Sequence, residues 1–143
     1  MIAVVDASVI IKWFFPDSSQ ELHTEQALSI LESIRDGGLE PLQPPHWLAE
    51  VAAVITRLEP ELANEAIDLL SAMEFSIVDE TSIYKRAVEI ATHLNQHLFD
   101  TLYHAVAIEH DVAFLTADLR YFRKGRQLGN ITYLADWNPD QVR

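Results

Sequence analysis

The chain has 143 residues and no cysteine, and its 22 acidic side chains outnumber its 10 basic ones, which gives a formal net charge of −12. The length suits one domain, expected over residues 1–143, and the lack of cysteine excludes disulfides, thiolate catalysis and cysteine-ligated zinc. The acidity excludes a nucleic-acid binder that relies on a uniformly basic surface. No apolar run could span a bilayer, and the charge at Asp6 argues against a signal peptide, so we expect a cytoplasmic protein without membrane contact.

Short apolar runs alternate with stretches of helical periodicity along the chain. For example, Ala27, Ile30 and Ile34 recur on one face of a helix that Gly37-Gly38 ends. Strands separated by helices predict a parallel sheet that is covered on both faces. In chain order, the predicted elements are a strand at 2–5, a helix at 21–35, a strand at 39–42, helices at 46–58 and 60–73, a strand at 75–78, helices at 82–95 and 100–110, and strands at 112–115 and 131–134.

Four carboxylates lie near the ends of these elements, each within apolar sequence. Asp6 directly follows the first strand and Asp118 follows a later one, so both lie at carboxyl ends, where ligands collect in open parallel sheets. Glu50 lies within a predicted helix, and Asp100 begins another. A lone buried charge is costly unless it is paired or holds a metal. If the four converge, they form a hard-oxygen site that suits Mg²⁺ or Mn²⁺.

Such a site supports the hydrolysis of phosphodiesters. Close carboxylates repel one another by roughly 4 kcal/mol per pair at about 4 Å in a partly screened site, and a divalent cation removes this penalty. A water made more acidic by the metal would attack phosphorus in line, while the metal neutralises charge on the phosphate and the leaving oxygen.

Each carboxylate also has a structural interpretation. Asp6, Asp100 and Asp118 could each cap a helix or a turn, which is a common use of aspartate. Glu50 lies in mid-helix beside the buried stripe, four residues after His46, and a partly buried glutamate needs a partner. The metal-site hypothesis therefore depends on the four carboxylates occurring together.

Further polar residues are candidates for contacts around this site. Ser8 and Thr116 could hydrogen-bond to a carboxylate or to a metal-bound water, or could serve turn and cap geometry. His104 lies one helical turn after Asp100 and could touch substrate or orient Asp100, and a core or surface histidine is the alternative. Asp136 is expected to be a surface or turn residue rather than a fifth acidic group of the site.

The segment 120–126 carries the clearest cluster of positive charge, and it begins just after Asp118. Its cations are interleaved with aromatic residues, which is typical of a patch that binds nucleic acid. A solvated helix and turn is the alternative, because short charge runs usually form solvated faces.

Four segments combine these candidates in a fixed order. They are Asp6-Ala7-Ser8-Val9-Ile10-Ile11-Lys12-Trp13, Glu50-Val51-Ala52, Asp100-Thr101-Leu102-Tyr103-His104-Ala105-Val106-Ala107 and Leu115-Thr116-Ala117-Asp118. Together the segments resemble the motifs of PIN-domain ribonucleases, specifically the VapC-type toxins of toxin–antitoxin pairs. No segment is specific alone, and their order and spacing match the family over essentially the whole chain.

The resemblance implies a three-layer α/β/α fold with a parallel sheet of about five strands. It also implies a Mg²⁺- or Mn²⁺-dependent endoribonuclease, the toxin of a type II pair, with an RNA substrate, a cognate antitoxin and a homodimeric state. The apolar cluster Trp13-Phe14-Phe15 would then be a dimer or antitoxin surface, or plain core. Carried over by the resemblance, the metal-binding and catalytic residues are Asp6, Glu50, Asp100 and Asp118, with Ser8 and Thr116 in support.

One departure and three alternatives accompany this hypothesis. His104 occupies a position that is often apolar in the family, and the net acidity suits a basic antitoxin segment. The alternatives are a PIN nuclease in RNA processing or acting on DNA, a non-catalytic PIN-fold binding module, and a phosphatase for small phosphoesters. A non-catalytic member would have no reason to keep mutually repelling carboxylates, which argues against that alternative.

Overall fold

The computed structural model describes residues 1–142, and within this range five strands and seven α-helices alternate along the chain. The strands are β1 (Ile2–Val5), β2 (Glu40–Gln43), β3 (Ser76–Ile77), β4 (Ala113–Thr116) and β5 (Ile131–Tyr133). The α-helices are α1 (Ala7–Ile10), α2 (Thr24–Arg35), α3 (Trp47–Leu58), α4 (Ala63–Ala72), α5 (Thr81–Leu94), α6 (Leu98–His110) and α7 (Leu119–Gly125). Short 3-10 helices cover Ile11–Trp13, Pro60–Leu62, Arg126–Leu128, Leu134–Asp136 and Pro139–Val142.

The five strands pair in the order β3-β2-β1-β4-β5, and every described pair is parallel. β1 lies in the centre of the sheet, where Ala3 pairs with Pro41 of β2 on one side and with Ala113 of β4 on the other. The helices that connect the parallel strands cover the sheet, because such connections must cross it. The predicted three-layer α/β/α architecture with a five-stranded parallel sheet is confirmed.

The strand order reverses direction between β1 and β4. The chain passes from β1 to β2 and β3 on one side, and then returns to place β4 and β5 on the other. In open parallel sheets, a crevice forms outside the carboxyl ends of the strands at such a reversal. Asp6 directly follows β1 and Asp118 lies two residues beyond β4, so the topology places both at this crevice.

The helix α6 contains a run of seven consecutive buried residues. Every residue from Thr101 to Ala107 is buried, so this helix is enclosed on nearly all sides rather than on one stripe. Tyr103 packs parallel to the ring of Phe114 in β4, with ring centroids 5.7 Å apart. Burial of a large apolar side chain contributes roughly 1.5–3 kcal/mol, so the packing of α6 holds Asp100, in its first turn, in a fixed place.

Several helix boundaries differ from the predicted ones, among them the helix predicted at 60–73, which divides into the 3-10 turn Pro60–Leu62 and α4. Two of the differences have a reason in the backbone. α2 begins at Thr24 rather than at residue 21, because His23 adopts a left-handed conformation with φ 58° that a right-handed helix cannot include. Asn95, with φ 51°, ends α5 at Leu94 in the same way. α6 begins at Leu98, so Asp100 is its third residue rather than its first.

A glutamine side chain takes the place of a strand partner at the end of β1. The backbone N–H of Val5 donates to Oε1 of Gln43 at 2.8 Å, and Nε2 of Gln43 donates to the carbonyl of Val5, also at 2.8 Å. Both residues are fully buried, so water cannot satisfy these backbone groups. Gln43 therefore fixes the end of β1 immediately before Asp6.

Within residues 1–142, no helix has both the length and the apolar character that crossing a bilayer requires. The prediction of a single domain over residues 1–143 includes Arg143, which lies outside the described residues, and it stays a prediction.

Candidate metal centre

Asp6 is the buried member of the acidic group, with only 7% of its surface exposed. It occupies the N-cap position of α1 but forms no capping hydrogen bond within the described residues. Its Oδ2 instead accepts from Oγ of Ser8 at 2.6 Å and from Oγ1 of Thr116 at 2.9 Å. The capping alternative is therefore not realised for Asp6, and the two predicted hydroxyls contact this carboxylate.

The same two hydroxyls connect the end of β1 to the segment after β4. Oγ of Ser8 accepts from the backbone N–H of Ala117, and Oγ1 of Thr116 accepts from the backbone N–H of Asp118, both at 3.0 Å. Asp118 caps α7, since its Oδ1 accepts from the backbone N–H of Tyr121 at 3.0 Å, which confirms the capping alternative for this residue. Its other carboxylate oxygen accepts no hydrogen bond from the described residues.

Glu50 lies in the first turn of α3 and not in mid-helix, because the helix begins only at Trp47. Its partner is His46, whose Nε2 lies 3.2 Å from Oε2 of Glu50 and 2.9 Å from the carbonyl oxygen of Phe99. The ring of His46 also stacks on Phe99, with ring centroids 5.3 Å apart. The partner that a half-buried glutamate requires is therefore the histidine one turn before it.

Asp100 is held by a residue that the sequence did not single out. Nε2 of Gln96 donates to Oδ2 of Asp100 at 2.8 Å, and Oε1 of Gln96 accepts from Nζ of Lys124 at 3.1 Å. Gln96 lies in the loop between α5 and α6, outside the helical and strand patterns. Only its position four residues before Asp100 could have suggested this contact.

All four carboxylates lie at helix N-termini. Asp6 and Asp118 occupy N-cap positions, and Glu50 and Asp100 lie in first turns. The N-terminus of a helix carries partial positive charge and exposed N–H groups, which favour a carboxylate nearby. The fold therefore directs helix termini at the place where four negative charges gather.

Electrostatic coupling places Asp6, Glu50 and Asp100 within range of one another, and Asp118 within range of Asp100. Burial raises the pKa of Asp6 to about 7, and the charges of Glu50 and Asp100 add to this effect, against the hydrogen bonds from its two hydroxyl partners. Burial also raises the pKa of Asp100, as do the charges of Glu50 and Asp118, while the hydrogen bond from Gln96 opposes the rise. Asp100 is thus the carboxylate that lies within electrostatic range of the other three, while their joint role as a metal site stays a prediction.

Tyr103 is a second residue at this site that sequence analysis did not select. Its hydroxyl is buried and has no hydrogen-bond partner among the described residues. Burial raises its pKa well above the usual value, and the charges of Asp6 and Glu50 raise it further. The backbone N–H of Ala7 opposes this rise, so it lies near the hydroxyl without completing a hydrogen bond of good geometry.

The residues present fit a hydrated hard cation rather than one enclosed by protein. Within residues 1–142, no group of three or more His, Asp or Glu side chains is placed so that it could by itself hold a metal ion. Mg²⁺ does not require such a group, because it keeps several waters and binds through one or two carboxylates together with substrate phosphate. The carboxylate oxygens and their mutual repulsion suit an ion surrounded by water.

His104 is a core residue, and the hypothesis that it touches substrate is corrected. Its side chain is fully buried, and its Nε2 donates to the carbonyl of Gly129 at 2.8 Å. Its Nδ1 lies 2.9 Å from the hydroxyl of Tyr121, and burial lowers the pKa of the ring, which keeps it neutral. A Cβ at Gly125 would lie 3.2 Å from this ring, so the close contact explains the glycine.

Two further expectations concern the surface. Trp13 is nearly buried and donates from Nε1 to the carbonyl of Ala27 at 2.8 Å, while Phe14 and Phe15 are partly buried against the core. Core packing is therefore the role that the structure gives this cluster. Asp136 is exposed in a 3-10 turn, as expected.

Comparison with known families gives one match. A family model described as PIN domain matches residues 3–127, a range that contains all four carboxylates, the strands β2, β3 and β4, and all of β1 except Ile2. A search of curated proteins found no match to the chain.

Proposed function

The chain belongs to the PIN-domain family, a nuclease fold, and from this premise we propose that it is a Mg²⁺- or Mn²⁺-dependent endoribonuclease. The observation that supports the proposal is the electrostatic coupling of Asp100 with the other three carboxylates beside the reversal of strand order, with Asp6 buried against two hydroxyls. In this proposal the metal-binding and catalytic residues are Asp6, Glu50, Asp100 and Asp118.

Each side chain has a distinct task in the proposed reaction. When bound, a divalent cation supplies a more acidic water and neutralises charge on the phosphate. Ser8 and Thr116 fix the rotamer of Asp6. This carboxylate would therefore lose little conformational entropy when it binds the ion. Gln96 does the same for Asp100. The second carboxylate oxygen of Asp118, which does not cap α7, would be available to orient water.

We further propose that the protein is the toxin of a type II toxin–antitoxin pair and forms a homodimer. The four motif segments support this role, because together they resemble VapC-type toxins. The net charge of −12 also suits an inhibitory partner with a basic segment near the carboxylates.

The proposed activity predicts metal-dependent cleavage of RNA that requires Asp100. Purified protein without its antitoxin should cut total cellular RNA into discrete fragments in Mg²⁺ or Mn²⁺ and should leave it intact in EDTA. Asp100→Asn keeps the shape and the acceptor for Gln96 but removes one charge, so we expect cleavage to fall by about 100-fold or more. The measurement is fragment mapping by gel electrophoresis and sequencing.

Asp68→Asn is the matched control, because Asp68 is exposed on α4 and is not a member of the acidic group. This variant should cleave RNA as the wild type does. Cleavage in EDTA that survives Asp100→Asn would identify a contaminant and contradict the proposal. If the purified protein cleaves RNA but its expression does not slow the growth of cells, the nuclease proposal stands and the toxin role is contradicted.

Gln96 gives a second prediction, which separates orientation from charge. Gln96→Leu keeps the size of the side chain but removes both its donation to Asp100 and its acceptance from Lys124. We expect the turnover rate to fall by about 10-fold, since loss of a group that orients a metal ligand typically costs about 10- to 100-fold. Gln127→Leu, on the exposed surface, is the control. An unchanged rate together with an unchanged metal requirement would show that Gln96 does not position Asp100.

A further inference from the structure

A polar cleft of about 430 Å³ lies directly beside the acidic group and shares Asp118 with it. Three potential cations, His97, Arg120 and Lys124, line this cleft. Nothing in the proposed cleavage chemistry uses them. Their position next to four carboxylates requires an explanation, because the chain as a whole is strongly acidic.

The positive charge of the chain is concentrated at this place. Four of its ten Lys and Arg residues lie between positions 120 and 126. Elsewhere the cations are scattered or already paired, as Lys12 is with Glu21 and Arg86 is with Glu109. A negatively charged ligand would therefore be attracted electrostatically to the segment 120–126, which follows Asp118.

The two lysine and arginine side chains of the cleft are placed differently. Arg120 is exposed and forms no hydrogen bond or ion pair with any residue in the described part of the chain. Lys124 is half-buried and donates to Gln96, which in turn donates to Asp100. One cation is thus available to a ligand, while the other connects the cleft to the acidic group through a single glutamine.

We propose that this cleft binds a phosphate of single-stranded RNA that flanks the scissile phosphate. The inference rests on the proposed function for the position of the scissile phosphate, and it adds a binding subsite to it. The flanking phosphate would lie next to the scissile phosphate, because Asp118 borders both the cleft and the acidic group. The subsite explains how an acidic protein holds a polyanion, because phosphate contacts by Lys and Arg supply much of the affinity for nucleic acid.

The test is the binding of an unstructured 12-nucleotide RNA, measured by fluorescence anisotropy in Mg²⁺ over a range of salt concentrations. All proteins carry Glu50→Gln to suppress cleavage, because Glu50 does not line the cleft. We expect Arg120→Gln and Lys124→Gln each to weaken binding by about 3- to 10-fold, and to reduce the slope of log affinity against log salt by about 0.7. The matched controls are Arg57→Gln and Lys85→Gln, which remove exposed cations elsewhere and should retain wild-type values.

A kinetic measurement then places the subsite relative to the cut. In the protein with Glu50 intact, Arg120→Gln should raise KM and leave kcat unchanged, since Arg120 does not contact a carboxylate of the acidic group. Replacing one phosphate next to the cut by an uncharged methylphosphonate should raise KM for wild type and have no further effect in Arg120→Gln. Additivity of the two changes would overturn the assignment.

Other outcomes also decide the matter. Variants that bind RNA like their controls, or a wild-type protein that does not bind the RNA, would overturn the subsite. Loss of binding to a polyglutamate peptide with unchanged RNA binding would overturn it in favour of an acidic protein partner. The protein could also bind RNA through both cations and yet cleave no RNA. That result would support the phosphate subsite and contradict only the proposed nuclease activity.

Discussion

Replacement of Asp6 by asparagine is expected to abolish RNA cleavage and, at the same time, to stabilise the metal-free protein at pH 8. Asparagine retains an oxygen that can accept from Ser8 and Thr116, so the hydrogen bonds at the end of β1 persist. It removes a buried charge that lies within range of Glu50 and Asp100. Activity and stability should therefore change in opposite directions, as expected where strain is retained for function.

The stabilising effect depends on pH with a definite sign. Burial raises the pKa of Asp6 to about 7 in the folded protein, against a usual value of 3.8. Between these two values the folded state binds more protons than the unfolded chain, so this carboxyl makes stability fall as the pH rises. At pH 8 the ionised Asp6 lowers the free energy of unfolding by roughly 4 kcal/mol, and this loss is largely absent near pH 4.

The measurement is thermal unfolding in EDTA at pH 5 and at pH 8. The Tm of Asp6→Asn should exceed that of wild type by about 10 °C at pH 8, and by clearly less at pH 5. Mg²⁺ should raise the Tm of wild type and narrow the gap, because a ligand of the folded state stabilises it. Asp68→Asn, which removes an exposed charge, should change neither Tm by more than about 2 °C. A gap that is equal at both pH values would contradict the role assigned to the buried carboxylate.

Replacement of Gln43 by leucine is expected to produce the largest loss of stability among the variants considered. Leucine matches the volume of glutamine but leaves the N–H and the carbonyl of Val5 without partners in a fully buried place. Each unsatisfied buried group costs roughly 1–3 kcal/mol, so we expect unfolding to become easier by about 3 kcal/mol. Urea titration followed by circular dichroism measures this difference.

The control for this variant is Gln127→Leu, which changes the same side chain on the exposed surface and should cost less than about 0.5 kcal/mol. Because Gln43 holds the end of β1 before Asp6, the variant should also lose activity at temperatures where it remains folded. Equal midpoints for the two variants would show that β1 does not depend on the glutamine.

The four acidic residues could be selected from the sequence, but the residues that surround them could not. Asp6, Glu50, Asp100 and Asp118 stand out because each interrupts apolar sequence near the end of an element, and such charges need a reason. The positions of Asp6 and Asp118 beyond strands also predicted the edge of the sheet at which they gather. Local pattern carries this information, because the alternation of strands and helices limits which ends can meet.

The same local pattern misjudged residues whose neighbours are distant in the chain. His104 shares a helix face with Asp100, which suggested the site, yet its partners are Tyr121 and Gly129, and these bury it in the core. Glu50 was placed in mid-helix, although α3 begins late enough to put it in the first turn. The observed start of α3 differs from the predicted one by a single residue, and the first turn carries the positive end of the helix dipole.

By itself, the sequence determined the parallel α/β architecture and the four carboxylates, because both follow from the order of apolar and polar residues along the chain. Only the tertiary structure decided which side chains support them: Gln43 at Val5, Gln96 between Lys124 and Asp100, and the unpaired hydroxyl of Tyr103. The physical reason is that a buried polar group must find its partner among spatial neighbours. Gln43 and Val5 lie 38 positions apart in the chain, and Gln96 and Lys124 lie 28 apart, which is beyond the reach of any local pattern.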